Sequence, residues 1–270
     1  MRIGISGAGA MAREVEKILS EKISGGADYE YAGMYEPLSG KSIEEYFGSS
    51  EEGKSSEKCF GSSEEGKNCV SVSGRPDVII DFSNPANVLS LCDYAEKEGA
   101  ALVIATTGFN DEQRARIALA GMSVPVVFSA NFSLGVNVVK KVVAELARVL
   151  SYDYDIEIVE KHHKRKIDAP SGTAIILADA INESGKYEFT YGRFGSSKRK
   201  PLEVGVHAVR GGGIVGEHSV IFAGDDEVIE VSHSAGSRRI FASGALKAAE
   251  FACAASAGLY DMEDVLWGEK

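Results

Sequence analysis

The chain has 270 residues, 44% of them apolar, which suffices for two domains or one large α/β domain with sizeable cores. Its 40 acidic residues against 29 basic ones give a formal charge of −11, which argues against a nucleic-acid binder. No apolar run reaches the ~18 residues of a membrane span. The opening residues do not form a signal peptide. The four cysteines (Cys59, Cys69, Cys92, Cys253) lack CxxC or zinc-like spacing, so free thiols in a cytoplasmic, metal-free protein are expected.

Met1 to Ile5 reads as a buried parallel strand. Gly7-Ala8-Gly9-Ala10-Met11-Ala12 follows it and opens a helix through Leu19. In that setting Gly7 permits a tight turn, Gly9 lets the backbone approach a pyrophosphate, and Ala12 allows close helix–strand packing. The helix N-terminus offers N–H groups to phosphates. A dinucleotide site is expected here, against the plainer reading of a glycine-rich βα turn. The next strand, from Tyr29, ends at Glu36, where an acid can bind an adenosine ribose and disfavour a 2′-phosphate. Pro37 follows rather than a base, so NADH is favoured over NADPH, although Lys41 is near.

Phe47-Gly48-Ser49-Ser50-Glu51-Glu52-Gly53-Lys54 recurs 13 residues later as Phe60 to Lys67. Two polar copies are too few for a solenoid. A duplicated surface loop over 47–69 is expected. Further strands are read at Val78–Phe82, Ala101–Ile104 and Val124–Phe128, with a helix from Pro85 to Lys97. Alternating strands and helices imply a parallel sheet with right-handed crossovers. Asp81-Phe82-Ser83 and Ala105-Thr106-Thr107-Gly108 stand at carboxyl ends of strands, where such sheets bind ligands.

The pattern changes after Gly135. Val138 to Leu150 is an amphipathic helix, and Asp155 to Glu160 alternates as a strand. Strands at Glu203–Val209, Glu217–Ala223 and Glu227–Ser234 follow, the last two joined by a turn at Gly224-Asp225-Asp226. These strands form a second, open sheet. An Ala-rich helix from Arg239 to about Ala257 should pack back on the first domain.

The densest chemistry is the run Lys161 to Ala174. Strand alternation puts Ile156, Ile158, Glu160 and His162 on one face and Lys161 and His163 on the other. One histidine can then donate a proton and its neighbour can hold substrate. Lys166 lies four residues beyond His162, and Asp168-Ala169-Pro170 turns the chain. Ser171-Gly172-Thr173 starts a helix whose amide groups can bind an anion. Lysine, histidine and a helix start at one spot suit a carboxylate. A metal site, a nucleic-acid patch and a solvated basic strand end are the plainer alternatives.

Glu160 through Ala174 fits Glu-x-His-His-x-x-Lys-x-Asp-Ala-Pro-Ser-Gly-Thr-Ala, and the chain resembles the dihydrodipicolinate reductase family on that run. Ala130 to Asn137, Gly216-Glu217-His218 and Ser237 to Leu246 are similar to it as well. The resemblance implies a proton donor at His162, a catalytic and substrate-contacting Lys166, and dicarboxylate contacts at His163, Ser171, Gly172 and Thr173. It implies cofactor contacts at Gly7 to Ala12, Glu36, Phe82, Ala105, Thr106, Thr107, Ser129, Ala130, Asn131 and Phe132. The implied reaction transfers hydride from NADH or NADPH to a cyclic unsaturated dicarboxylic imine in diaminopimelate and lysine biosynthesis.

The implied fold is an N-terminal Rossmann-type parallel sheet plus a C-terminal α+β domain with an open mixed sheet. The implied domains are residues 1–130, completed by 238–270, for the dinucleotide, and 131–237 for substrate and oligomerisation. Hinges fall near Asn131 and Ser237. A homotetramer assembled through the open sheet is implied, with no nucleic-acid or membrane partner. The sequence departs from the family in a shorter glycine turn ending in Ala12, in Ala105 for a glycine, and in Pro37 for a base. A non-catalytic NAD(P)H sensor and a different two-domain NAD-dependent dehydrogenase are the competing readings.

Overall fold

The computed structural model describes residues 1–48, 55–60, 68–150 and 152–268. The chain divides into two compact units, residues 1–132 with 239–270, and residues 133–238.

The first unit opens with β1 (Arg2–Ser6), α1 (Ala10–Ser24) and β2 (Glu30–Tyr35). A short α2 (Ile43–Phe47) precedes a two-stranded antiparallel ladder of β3 (Ser55–Phe60) and β4 (Asn68–Ser73). Then come β5 (Val78–Asp81), α3 (Val88–Glu98), β6 (Ala101–Ile104), α4 (Asp111–Ala120) and β7 (Pro125–Phe128). After the second unit the chain returns as α7 (Arg239–Ala254), β13 (Gly258–Tyr260) and α8 (Met262–Trp267). The six main strands lie parallel in the order β2-β1-β5-β6-β7-β13. The order reverses at β1, which makes the carboxyl edge beside β1 and β5 the topological switch point where such sheets bind ligands. Residues 78–81 and 101–104 are wholly buried, as strands covered on both faces must be. One face carries a core of Ile79, Leu91, Tyr94, Leu102, Ile117 and their neighbours. On the sheet, α7 packs against β5, β6 and β7, and beside it lies α1. Its buried face is built from Ala242, Ala245, Leu246, Ala248, Ala249 and Ala252, small side chains that let a helix lie close.

The second unit contains α5 (Leu134–Leu150), β8 (Asp155–His162), α6 (Gly172–Ile181), β9 (Glu188–Tyr191), β10 (Glu203–Arg210), β11 (Glu217–Ala223) and β12 (Val228–Ser234). Its sheet runs β12-β11-β8-β10-β9, with β8, β9 and β10 parallel and β11 antiparallel to both neighbours. Side chains of α5 and α6 meet Ile156, Ile158, Val204, Val206, Val220 and Phe222 in its core. The alternate positions of β8 mix polar residues with Val159, and there Glu157 bonds His207 (2.7 Å) and pairs with Arg199.

The expected fold class is what the structure has. Several element readings need correction. Phe47, placed in a surface loop by its repeat, is buried at the end of α2 beside Tyr35 and Tyr94. Residues 55–60 and 68–73 form strands rather than loop. The repeats themselves lie almost wholly outside the described residues. α5 begins at Leu134, before its apolar stripe, because Ser133 Oγ accepts the N–H of Val136 and caps it. α7 stops at Ala254, and the residues after it add β13 to the first sheet. α4 escaped the periodicity reading because only Ile117 and Ala120 of its ten residues are buried. Its signal was the capping box between Asn110 and Gln113.

Candidate active site

The first unit builds its carboxyl edge around Gly7. That residue has φ +109°, and a Cβ there would stand 2.4 Å from the Phe82 carbonyl oxygen. Only glycine lets β1 turn this tightly under the end of β5. Gly9 and Ala10 are exposed, Ala8 and Met11 half-buried, and Ala12 is fully buried. Gly9 precedes α1 without any side-chain cap, and nothing lies within 4 Å of where its Cβ would be. An uncapped helix start with open space over a glycine fits a pyrophosphate. Glu36 is exposed directly after β2. Lys41 lies over the Tyr46 ring, 5.7 Å from its centroid.

One buried carboxylate organises this edge. Asp81 is 1% exposed. Its oxygens accept Ser83 Oγ–H (2.6 Å) and Thr106 Oγ1–H (2.6 Å). Thr106 Oγ1 in turn accepts the N–H of Ser83 (3.0 Å), and Asn87 Nδ2 donates to Ser6 (3.0 Å) and Ser83 (3.3 Å). Burial pushes the Asp81 carboxyl up, against the opposing pull of the Ser83, Thr106 and Ser6 hydroxyls. The hydroxyl of Thr106, a residue read as a cofactor contact, is therefore turned inward to bind protein. Thr107 is exposed and Ala105 half-buried. Phe82 stacks edge-to-face on the buried Phe132 (6.5 Å). Ser129 Oγ accepts the N–H of Asn131 (3.2 Å), which stiffens the exposed turn at Ala130. These residues share one sheet edge, as the parallel fold requires.

In the second unit β8 runs to His162, two residues beyond its expected end, and the alternation holds: Ile156, Ile158, Glu160 and His162 are buried and Lys161 and His163 are not. Glu160 is completely buried. It accepts His162 Nδ1–H (2.6 Å), Arg210 Nη1–H and Nη2–H (2.7 Å each) and the N–H of Ser171 (3.0 Å). Burial works to raise its carboxyl, but Arg210, His162 and Ser171 outweigh it and hold it below the usual carboxylate range. A single carboxylate thus ties the histidine on β8 to the start of α6. Ser171 caps α6 by accepting the N–H of Ala174 (3.2 Å) and meets His218 Nε2 at 3.0 Å. The His162 and His218 rings pack edge-to-face at 5.2 Å. Gly216 backs His162: a Cβ there would lie 3.0 Å from Nε2. Gly172 is exposed with nothing within 4 Å of a Cβ, and Thr173 is half-buried behind it. Lys166 pairs with Asp168 at 2.8 Å, which holds the Asp168 carboxyl down.

Models of the dihydrodipicolinate reductase N-terminus and C-terminus match residues 1–132 and 135–266. The chain belongs to the dihydrodipicolinate reductase family. It is 52% identical over 198 residues to the 4-hydroxy-tetrahydrodipicolinate reductase of Caldanaerobacter subterraneus subsp. tengcongensis, covering 72% of this chain and 78% of that one. The corresponding enzyme of Clostridium tetani is 46% identical over 201 residues, 74% and 79% of the two chains. A dipicolinate-bound dihydrodipicolinate reductase from Paenisporosarcina sp. TG-14 superposes with a TM-score of 0.70 at 21% identity over 97% of each chain, a likeness of fold. An amine dehydrogenase from Mycobacterium smegmatis shares the fold more loosely (TM-score 0.59, 11% identity, 97% and 95% of the chains). The activity is that of an NAD(P)H-dependent oxidoreductase.

The structure gives partners to four residues whose roles the sequence did not assign: Asp81, Glu160, Arg210 and His218. Asp81 reads from sequence as part of the ligand-binding strand end, with no role of its own. Glu160 heads the motif and shares a strand face with His162, but the sequence assigns it no partner. Arg210 and His218 come from β10 and β11, some 50 residues from the motif they support. Parity offered one available signal: Glu160 is an acid on the apolar face of β8, and a buried acid needs partners.

Proposed function

We propose that the first unit binds NAD(P)H along the carboxyl edge of its parallel sheet. The second unit binds a cyclic dicarboxylate, and the chain reduces 4-hydroxy-tetrahydrodipicolinate to tetrahydrodipicolinate. The observation that carries this reading is the single buried carboxylate of Glu160, which bonds both His162 and the first amide of the α6 cap. It holds a proton donor beside a helix start suited to a carboxylate.

The bound cofactor would supply the hydride. The chain's residues do the rest. Gly7 to Ala12 seat the pyrophosphate, and Glu36 takes the adenosine ribose. Phe82, Ala105 to Thr107 and Ser129 to Phe132 line the nicotinamide end. His163, Lys166, Ser171, Gly172 and Thr173 hold the two carboxylates. Hydride addition leaves electron density on the substrate ring, which His162 quenches by delivering a proton while Lys166 offsets the charge. Glu36, followed by Pro37 and with Lys41 engaged on Tyr46, favours NADH. A homotetramer assembled through the second unit's sheet, in which β12 is an end strand, completes the reading.

The test is oxidation of NADH and of NADPH by the purified protein, with substrate generated in place from pyruvate and aspartate semialdehyde by the preceding synthase. Oxidation that depends on the synthase supports the activity, and a faster rate with NADH supports the role given to Glu36. Cofactor binding without synthase-dependent oxidation sinks the proposal. Light scattering on the eluting protein decides the tetramer.

A further inference from the structure

His162 bonds Glu160 through Nδ1. An ionised carboxylate can only accept, so the ring hydrogen must sit on Nδ1. The transferable proton is then confined to Nε2, the nitrogen that lies against Gly216. Arg210 keeps Glu160 ionised: it grips both carboxylate oxygens, and its Nη2 also donates to the Asp168 carbonyl (2.6 Å) in the turn before α6. A fork of this kind is the strongest pairing available to a buried carboxylate.

We infer that Glu160, locked by Arg210, is the positioning residue of the proton donor: it fixes the His162 tautomer, confines the proton to Nε2 and supplies the counter-charge for the imidazolium. The inference rests on His162 being the donor. Around His162 lie Glu160 on its own strand, Arg210 from β10, His218 from β11 with His233 beyond it, and His163 and Lys166 in the following turn. Glu160 is the anion bonded to the ring and is gripped by Arg210, while Lys166 in the turn is paired with Asp168. His218 is neutral at working pH, because burial and then His162 push its imidazole down to about 4. Removing the charge at 160 takes away the carboxylate that bonds the ring at Nδ1, and the Asp168 carboxylate is already paired with Lys166. His162 then gives up its proton at lower pH.

The experiment is the kcat–pH profile, with the synthase in excess, of Glu160→Gln, Glu160→Asp and the double variant Glu160→Gln/Arg210→Met. Glu160→Gln alone strands a half-buried guanidinium and can destabilise the fold. The double variant removes both charges and is checked by thermal unfolding and NADH binding. In it, and in Glu160→Gln, the basic limb of the profile moves acidward by about one pH unit or more, a loss of about tenfold in kcat above that limb. KM changes much less. Glu160→Asp keeps the charge and the position of the limb while losing rate through poorer reach. A folded double variant whose limb stays in place, alongside an inactive His162→Gln, overturns this inference alone. Turnover retained by His162→Gln removes the donor assignment, and this inference with it.

Discussion

His162 and Lys166 can be tested one atom group at a time. His162→Gln keeps the size of the ring and a polar head, so it should lower turnover by a factor of about 10²–10⁴, the range of a lost general acid. NADH affinity should hardly change, because the cofactor contacts proposed above belong to the other unit. Equal losses in turnover and NADH binding would count against the assignment. His218 makes a different prediction, about stability. Burial, followed by the charge of His162, holds its imidazole down from the ordinary 6.5 to about 4. As pH falls through that window the unfolded chain takes up a proton that the folded chain refuses. Its contribution, on the order of 3 kcal/mol, is present above the upper value and disappears by the lower one. The melting temperature should therefore drop between those two values, and His218→Gln should flatten the drop. A decline of equal steepness in the variant would assign it to other groups. Neither Arg210, which grips Glu160, nor His218, which meets Ser171, was legible in the motif, since both arrive on other strands.

Two elements are tested by their ends. The start of α6 depends on Ser171, which takes the Ala174 amide and meets His218. Ser171→Ala should cost about 1 kcal/mol as a lost cap and raise KM for the dicarboxylate more than it lowers kcat. A pure fall in kcat would place Ser171 outside substrate binding. At the start of α1, Gly7→Ala must adopt a φ that L-residues avoid and push a methyl into the Phe82 carbonyl. The strain costs at least about 1–2 kcal/mol. Fluorescence titration should show NADH binding weakened by tenfold or more, and an unchanged titration would place the pyrophosphate elsewhere. The ends of these elements were readable because caps and tight turns are local chemistry. α4 and β9 were harder: one buries only two of its ten residues, and the other has only four residues, none fully buried.

At the level of the whole molecule, the first unit is discontinuous: α7 packs on its sheet and β13 extends it, yet both follow residue 238. A chain cut after Arg238 should leave the α7-facing side of β5, β6 and β7 bare and the first unit insoluble or unable to bind NADH. The segment 133–238, whose core is closed by its own α5 and α6, should fold alone with a cooperative melt. A soluble, NADH-binding truncation would contradict this account of the sheet. Local spacing determined much of the protein from sequence: the parallel strands, the glycine turn, the faces of β8 and the motif that reveals its family. These depend on residues within one turn or one strand of each other, where backbone periods of 2 and 3.6 leave a direct trace. Tertiary structure alone decided that Phe47 is core, that Thr106 serves Asp81, and that Glu160 is gripped by Arg210 and bonded to both His162 and Ser171. Those facts join residues from different strands and loops. A buried charge finds its partners only when the sheet closes around it, and no spacing along the chain records which strand will lie beside it.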